Sequence, residues 1–196
     1  MGTMIEESIG DAVKALMKQD VELAQKVMAG DEEIDRTERK IEDLCLRLLL
    51  QQQPVARDLR NISAALKMVT DMERIGDHAT DISELAIVLS EKTYVKKLDH
   101  IEEMARETMV MLIQSLEAYV EKDLDKAQKV IAHDDVIDDF FEEVKQELIE
   151  LIRNHADEGE QAVDLLMVTK YFERIGDHAT NIAEWVIFSI TGQIAG

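Results

Sequence analysis

The sequence contains one segment twice, and this duplication constrains the fold more than any other feature. The run Glu73–Thr80, with the sequence ERIGDHAT, recurs letter for letter at Glu173–Thr180, an offset of 100 residues. Earlier in the chain, AQKV at residues 24–27 recurs at residues 127–130, an offset of 103. Because two blocks recur in the same order, the chain consists of two copies of one structural unit. We place the first copy at residues 1–92 and the second at residues 93–196.

Each copy is predicted to form three helices. The chain holds one proline and eight glycines in 196 residues, whereas strong helix formers are abundant, so its elements should be few, long and helical. The predicted helices span residues 5–29, 32–50 and 55–90 in the first copy, and residues 98–121 continued by 124–132, 135–153 and 160–191 in the second. Short connections imply antiparallel neighbours. The expected fold is therefore all-α, with two tandem pseudo-symmetric three-helix bundles.

The charge balance excludes several classes of partner. Acidic residues number 42 against 22 basic ones, which gives a formal charge of −20. Nucleic acid and anionic membrane surfaces would both repel such a chain. Nevertheless 46% of the residues are apolar, which is enough for a core. The sequence has no apolar stretch long enough to span a membrane and no signal peptide, and Cys45 is predicted to be a buried, inert thiol. We therefore expect a soluble cytoplasmic protein.

Acidic residues recur at a four-residue spacing in both copies. Asp31 and Asp35 are four residues apart, as are Glu73 and Asp77, so each pair shares one helix face. Counting outward from the turn near residue 53 brings these two pairs to the same height on neighbouring antiparallel helices. Like charges at this spacing destabilise a helix unless something neutralises them. Counting from the turn near residue 157 brings together the corresponding acids of the second copy: Asp134, Asp138, Glu173 and Asp177.

Four carboxylates at one height, present twice, predict a metal centre in each copy. Oxygen ligands suit hard cations such as Mg²⁺, Mn²⁺, Ca²⁺ or iron. Asp81 extends the first series by one turn, but its counterpart is Asn181, so we rank Asp81 below the repeated acids. The alternative interpretation is a solvated acidic face whose charges pair with Arg74 and Arg174.

Two further positions of the repeat are predicted to have other roles. Glycine inside a helix costs about 1 kcal/mol relative to alanine, so Gly76 and Gly176 indicate a close approach by a neighbouring helix or by the site. His78 and His178 project away from the acidic seam, and a surface or interface position is favoured over metal ligation. The sequence contains no Glu-x-x-His di-iron signature, no Gly-rich phosphate loop and no Ser/His/Asp arrangement.

Two motifs make the sequence resemble the PhoU family. The tandem ERIGDHA blocks at residues 73–79 and 173–179 match the repeated signature of the family's third helix, and QQPVARDLR at residues 52–60 resembles the turn before that helix. The resemblance covers almost the whole chain. By the 103-residue offset Ile5 corresponds to Thr108, so the first helix is expected to be about ten residues shorter than its twin. Family members usually begin with a longer first helix, and this chain departs from that pattern.

The resemblance implies a function as well as a fold. It implies multinuclear metal clusters held by acid pairs, with iron favoured and zinc, manganese, magnesium or calcium as alternatives. It also implies a cytoplasmic negative regulator of phosphate uptake. Such a regulator restrains the phosphate ABC transporter through its ATPase subunit and keeps the phosphate-sensing histidine kinase in its signalling-off state. A homodimer or higher oligomer is usual in the family.

Three classes of function follow from these patterns. The favoured class is a non-catalytic, metal-binding regulator, because no general base stands beside a nucleophile. The second is an enzyme whose carboxylate-bridged metal cluster performs hydrolysis or redox chemistry. The third is a metal-free helical adaptor in which the acids only confer solubility. Metal analysis separates the third class from the first two, and a turnover assay separates the second.

Overall fold

The computed structural model describes residues 1–52 and 54–193, and every regular element in that part of the chain is a helix. The elements are α1 (Gly2–Lys18), α2 (Val21–Gln52), α3 (Ala56–Leu89), α4 (Asp99–Glu121), α5 (Leu124–Asn154) and α6 (Gly159–Thr191), with one 3₁₀ turn at Ala156–Glu158. Helices α1–α3 form one bundle and α4–α6 the other. The predicted all-α fold of two three-helix repeats is confirmed. No helix in the described ranges combines the length and apolar character needed to cross a bilayer.

The third helices of the two bundles, α3 and α6, pack antiparallel at the centre of the molecule. Near their midpoint, the Nδ1 atom of His178 lies 2.9 Å from a carboxylate oxygen of Asp71, and the His78 ring stacks on Tyr171. Aliphatic side chains of both helices enter one continuous core shared by the two bundles. The copies therefore form one packed molecule, and their acidic pairs are held on a rigid frame.

The predicted break between the first two helices of each copy is wrong. The first helix ends at Lys18, where Gln19 adopts a left-handed conformation with φ of 53°, and not near residue 29. Lys122 adopts the same conformation, with φ of 57°, at the equivalent position 103 residues later. Residues 124–132 consequently begin α5 and do not continue the fourth helix. The acidic pairs of α2 and α5 therefore lie well inside long helices.

Aspartate caps explain why the chain breaks at these two points. The Asp20 carboxylate accepts a hydrogen bond from the Leu23 amide at 3.0 Å, and the Asp123 carboxylate accepts one from the Lys126 amide at 2.9 Å. Such caps satisfy backbone donors that a helix start leaves unpaired. Helix α1 has 17 residues and α4 has 23. The first helix is thus six residues shorter than its twin, and not about ten.

Two smaller predictions are confirmed. Cys45 is a free, buried cysteine, and burial raises the pKa of its thiol above the ordinary value. Gly76 faces Ile34 of α2 so closely that an added Cβ atom would lie 3.2 Å from two of its carbon atoms. At Gly176 the same contact is made by Ile137, at 3.3 Å. Glycine at these positions allows the third helix of each copy to approach the second, and the acidic residues lie along these contacts.

Candidate metal centre

Three carboxylates from two helices converge in the first repeat. Asp31 and Asp35 come from α2 and Asp77 from α3, and each offers an oxygen atom within 4.8 Å of the others. All three side chains are half-buried. Among residues 1–52 and 54–193 this is the one group of three or more potential metal ligands gathered so closely. The donor set consists of oxygen atoms alone, which suits a hard cation.

The electrostatics of this cluster favour a bound cation. Burial raises the pKa of Asp31, and the neighbouring charges of Asp77 and Asp35 raise it further. Burial and the Asp77 charge likewise raise the pKa of Glu73. A pKa raised in this way means that nearby positive charge does not balance the negative charge of the ionised carboxylate. A bound multivalent cation would supply the positive charge that α2 and α3 do not supply.

Two polar atoms beside the cluster are buried without a hydrogen bond of normal geometry to the described residues. They are the Oε2 atom of Glu73 and the Oγ1 atom of Thr80. The Thr80 hydroxyl lies close enough to Asp31 to lower its pKa, against the larger effect of burial. The Glu73 Oε2 atom has an ion-pair partner in the Nε atom of Arg74, at 3.5 Å. Because buried polar atoms normally have hydrogen-bond partners, both atoms remain available to a cation or to its bound water. The residues present therefore fit a metal ion.

Positive side chains near the first cluster lie at its outer edge. Arg74 reaches Asp77 at 3.0 Å, and Arg39 reaches Asp35 at 3.2 Å. Both arginine side chains are more than half exposed to solvent. Such exposed pairs contribute roughly 0–1 kcal/mol each. They neutralise the rim of the cluster only in part.

In the second repeat Asp134, Asp138, Glu173 and Asp177 do not form so close a group, since the cluster of the first repeat is the one found in the described ranges. Their charges nevertheless act on one another, and one cation is added. Burial raises the pKa of Asp134, with Asp177 and Asp138 as the next causes. Burial also raises the pKa of Asp177, with the Glu173 charge next. However, the Lys170 ammonium donates to Glu173 at 2.5 Å. The position equivalent to Lys170 in the first repeat is Thr70, so the second cluster is partly neutralised from within the protein.

Asp81 lies at the edge of the first cluster and has a different partner. Its carboxylate is 3.2 Å from the Nδ1 atom of His78, and its charge makes only the smallest contribution to the raised pKa of Asp31. The His78 and His178 rings lie 5.7 Å apart between the two repeats. The histidines thus occupy the interface between the bundles, and each contacts a carboxylate through Nδ1.

Three residues around the clusters were missed by the sequence analysis. Thr80 and its counterpart Thr180 follow Glu73 and Glu173 by seven residues, which is two helical turns, so spacing alone places them on the acidic face. Lys170 precedes Glu173 by three residues, a spacing at which helical side chains meet. These signals are weak in a single sequence, because threonine and lysine are common on helix surfaces.

The fold and the site together define a duplicated all-helical protein with recurring acid pairs in each half and a close carboxylate cluster in the first. The family model for the PhoU domain matches this chain twice, at residues 1–86 and at residues 101–186. A PhoU homolog from Clostridium acetobutylicum, named a phosphate-specific transport system accessory protein, is 40% identical over 98% of this chain and 89% of its own length. The Escherichia coli accessory protein PhoU is 31% identical over 98% of this chain and 80% of its own length.

A solved structure agrees with these sequence matches. The crystal structure of PhoU from Pseudomonas aeruginosa superposes with a TM-score of 0.95, at 34% identity, and the match covers 98% of this chain and 93% of that one. The chain therefore belongs to the PhoU family. It is a PhoU-like accessory protein of phosphate transport.

Proposed function

We propose that this protein is a metal-binding, non-catalytic regulator that restrains phosphate uptake from the cytoplasm. In this proposal it acts on the ATPase subunit of a phosphate ABC transporter and keeps the phosphate-sensing histidine kinase in its signalling-off state. The general role follows from family membership. Metal binding, the sign of regulation and the two partners are the proposed parts.

The convergence of Asp31, Asp35 and Asp77 within 4.8 Å is the observation that carries the metal proposal. Holding three carboxylates together costs free energy in the metal-free protein, and bound cations remove that cost. The ligands proposed in the first repeat are these three residues with Glu73, and with Asp81 at the edge. The ligands proposed in the second repeat are Asp134, Asp138, Glu173 and Asp177.

The two centres should differ in their affinity for metal. Lys170 already neutralises part of the second cluster, whereas α2 brings a further acid, Glu38, near Glu73 in the first, where it contributes to the raised pKa. The position equivalent to Glu38 in the second repeat is Phe141. We therefore expect the first centre to bind a given cation more tightly. Iron is the favoured ion, with zinc, manganese, magnesium and calcium as alternatives.

Elemental analysis of the purified protein tests metal binding. The double variant Glu73→Ala/Asp77→Ala should lose the metal of the first centre and retain that of the second. Asp139→Ala/Glu143→Ala removes two exposed acids with the same spacing from α5 and should leave the stoichiometry unchanged. If Glu73→Ala/Asp77→Ala binds as much metal as wild type, the site assignment is wrong. If wild type binds none, the protein is a metal-free adaptor.

Separate assays test the regulatory and non-catalytic parts. The purified protein should retain the transporter ATPase subunit and the cytoplasmic part of the kinase at low salt, and release them as salt screens its acidic surface. Failure to retain either partner at low salt would remove the proposed mode of regulation. Turnover of phosphate esters by metal-loaded protein would favour the enzyme hypothesis instead. Sedimentation analysis tests the expected homodimer or higher oligomer.

A further inference from the structure

One position beside the repeated acids differs in charge between the two repeats. Glu73 and Glu173 are equivalent carboxylates, and their side chains are almost equally exposed, at 17% and 15%. The Lys170 ammonium lies 2.5 Å from both oxygen atoms of Glu173. The ion-pair partner of Glu73 is the Nε atom of Arg74, at 3.5 Å. The same carboxylate therefore has a close counter-ion in the second repeat and a more distant one in the first.

The neighbouring residue on the second helix of each repeat differs in the same sense. Phe141 of α5 corresponds, by the 103-residue offset, to Glu38 of α2. The Lys170 ammonium lies 5.3 Å from the centre of the Phe141 ring, a distance at which a cation is attracted to an aromatic face. Phe141 therefore helps to hold the ammonium beside Glu173. In the first repeat Glu38 adds negative charge, and Thr70 stands at the position of Lys170.

Lys170 is also better shielded from solvent than the arginine of the first repeat. The Arg74 side chain, which reaches Asp77 as well as Glu73, is 57% exposed, so solvent screens its charge. The Lys170 side chain is 36% exposed. Burial is the largest cause of the raised pKa of Asp177, and the charge of Lys170 is among those that oppose it. Lys170 therefore acts on the acids of the second repeat beyond its direct partner.

We propose that Lys170 is the resident counter-ion of the second repeat, so that α5 and α6 stay together without metal while the contact between α2 and α3 depends on a bound cation. A cation can then bind at Glu173 only where the ammonium leaves. Metal should tighten the first repeat and leave the second almost unchanged. The counter-ion role stands without metal, whereas the response of the first repeat rests on the metal binding proposed above.

The physical reason is the repulsion among carboxylates that face one another across two helices. Asp31 and Asp35 of α2 lie within 4.8 Å of Asp77 of α3, and like charges at this distance repel. Such repulsion favours local opening of the helix pair, which hydrogen exchange measures segment by segment. A positive charge between the helices removes this cause of opening. In the second repeat Lys170 supplies that charge from the chain itself.

Hydrogen exchange followed by mass spectrometry, in chelator and in excess Mn²⁺, measures both repeats in one sample. In wild type, Mn²⁺ should slow exchange about fivefold or more in residues 27–39 of α2, and by less than about twofold in residues 130–142 of α5. Lys170→Thr introduces the residue of the first repeat. In chelator it should speed exchange of residues 130–142 about fivefold or more, and Mn²⁺ should then slow exchange there.

Three further variants test whether the effect belongs to the charge at this position. Lys145 lies over the same Phe141 ring and is equally exposed, but it pairs with Glu142, so Lys145→Thr should leave exchange in chelator unchanged. Lys170→Arg keeps the positive charge and should behave as wild type. Thr70→Lys should slow exchange of residues 27–39 in chelator. It should also weaken Mn²⁺ binding at the first centre about tenfold in isothermal titration calorimetry.

The measurements in chelator decide the counter-ion role by themselves. The proposal is overturned if Lys170→Thr and Lys145→Thr change exchange of residues 130–142 equally, or if Mn²⁺ slows exchange to the same extent in both repeats of wild type. Absence of Mn²⁺ binding to wild type would overturn the proposed function and the response of the first repeat, whereas faster exchange of Lys170→Thr in chelator would still support the counter-ion role. Circular dichroism melts establish that each variant is folded.

Discussion

Replacing Asp77 with asparagine removes one negative charge from the centre of the first cluster while keeping the size of the side chain. Asp77 faces Asp31 and Asp35, with oxygen atoms within 4.8 Å. Two unit charges at this distance repel by about 3.5 kcal/mol at an effective dielectric constant of about 20, and by about 0.9 kcal/mol in water. The side chain is one-third exposed, so the effective repulsion lies toward the lower value.

The substitution should therefore stabilise the metal-free protein. Two repulsions are removed, and an exposed ion pair with Arg74, worth roughly 0–1 kcal/mol, is lost. The net gain should be about 1–2 kcal/mol, which corresponds to a rise of about 2–8 °C in Tm for a protein of this size. Bound metal should stabilise wild type more than the variant. At one hundred times its Kd a bound ion stabilises wild type by about 2.7 kcal/mol, and the variant should lose most of that gain.

Thermal unfolding followed by circular dichroism, first in chelator and then with excess Mn²⁺, measures both effects. Asp139→Asn removes an exposed acid from α5 and should change neither melting temperature. A lower stability of the metal-free Asp77→Asn variant would contradict this expectation, because the carboxylates would then not repel one another. An equal rise in Tm with Mn²⁺ for wild type and Asp77→Asn would also contradict it.

Substitutions at Gly76 and Tyr94 test two further contacts within the fold. Gly76→Ala should be less favourable than Gly30→Ala by about 1–3 kcal/mol in urea unfolding, because its Cβ atom would lie only 3.2 Å from two carbon atoms of Ile34 and that side chain would have to shift. Gly30 is also within a helix, and an added Cβ atom there meets nothing within 4 Å, so Gly30→Ala should stabilise the protein by about 1 kcal/mol. Equal effects would contradict the packing interpretation. Tyr94 donates a hydrogen bond to the Leu16 carbonyl at 2.6 Å, and burial raises its pKa to about 12. Tyr94→Phe should cost about 1 kcal/mol near pH 8, and because the folded state holds the phenol proton more tightly, this difference should shrink between pH 10 and 12. A constant difference would show that the phenol does not titrate in this way.

The fold could be predicted because the repeat and the scarcity of turn residues act over the whole chain. The break between the first and second helices could not, because it depends on a single left-handed residue and one aspartate cap. Gln19 and Lys122 carry no local signal for a left-handed conformation, which usually favours glycine. Asp20 and Asp123 are the only marks of the new helix, and acidic residues are common throughout this chain.

The approach of Asp31, Asp35 and Asp77 could be predicted because their height depends on the length of the connection between α2 and α3. The difference between the two clusters could not, because it arises from residues outside the repeated motif. Lys170 neutralises Glu173 in the second repeat, and Glu38 adds an acid to the first.

Anomalous scattering from crystals of the protein loaded with Mn²⁺ is the most direct test of the proposal that the carboxylates of both repeats hold metal ions. We expect one or more anomalous peaks among Asp31, Asp35 and Asp77, and weaker ones among Asp134, Asp138 and Asp177. Crystals in which neither cluster shows a peak at saturating Mn²⁺ would contradict it.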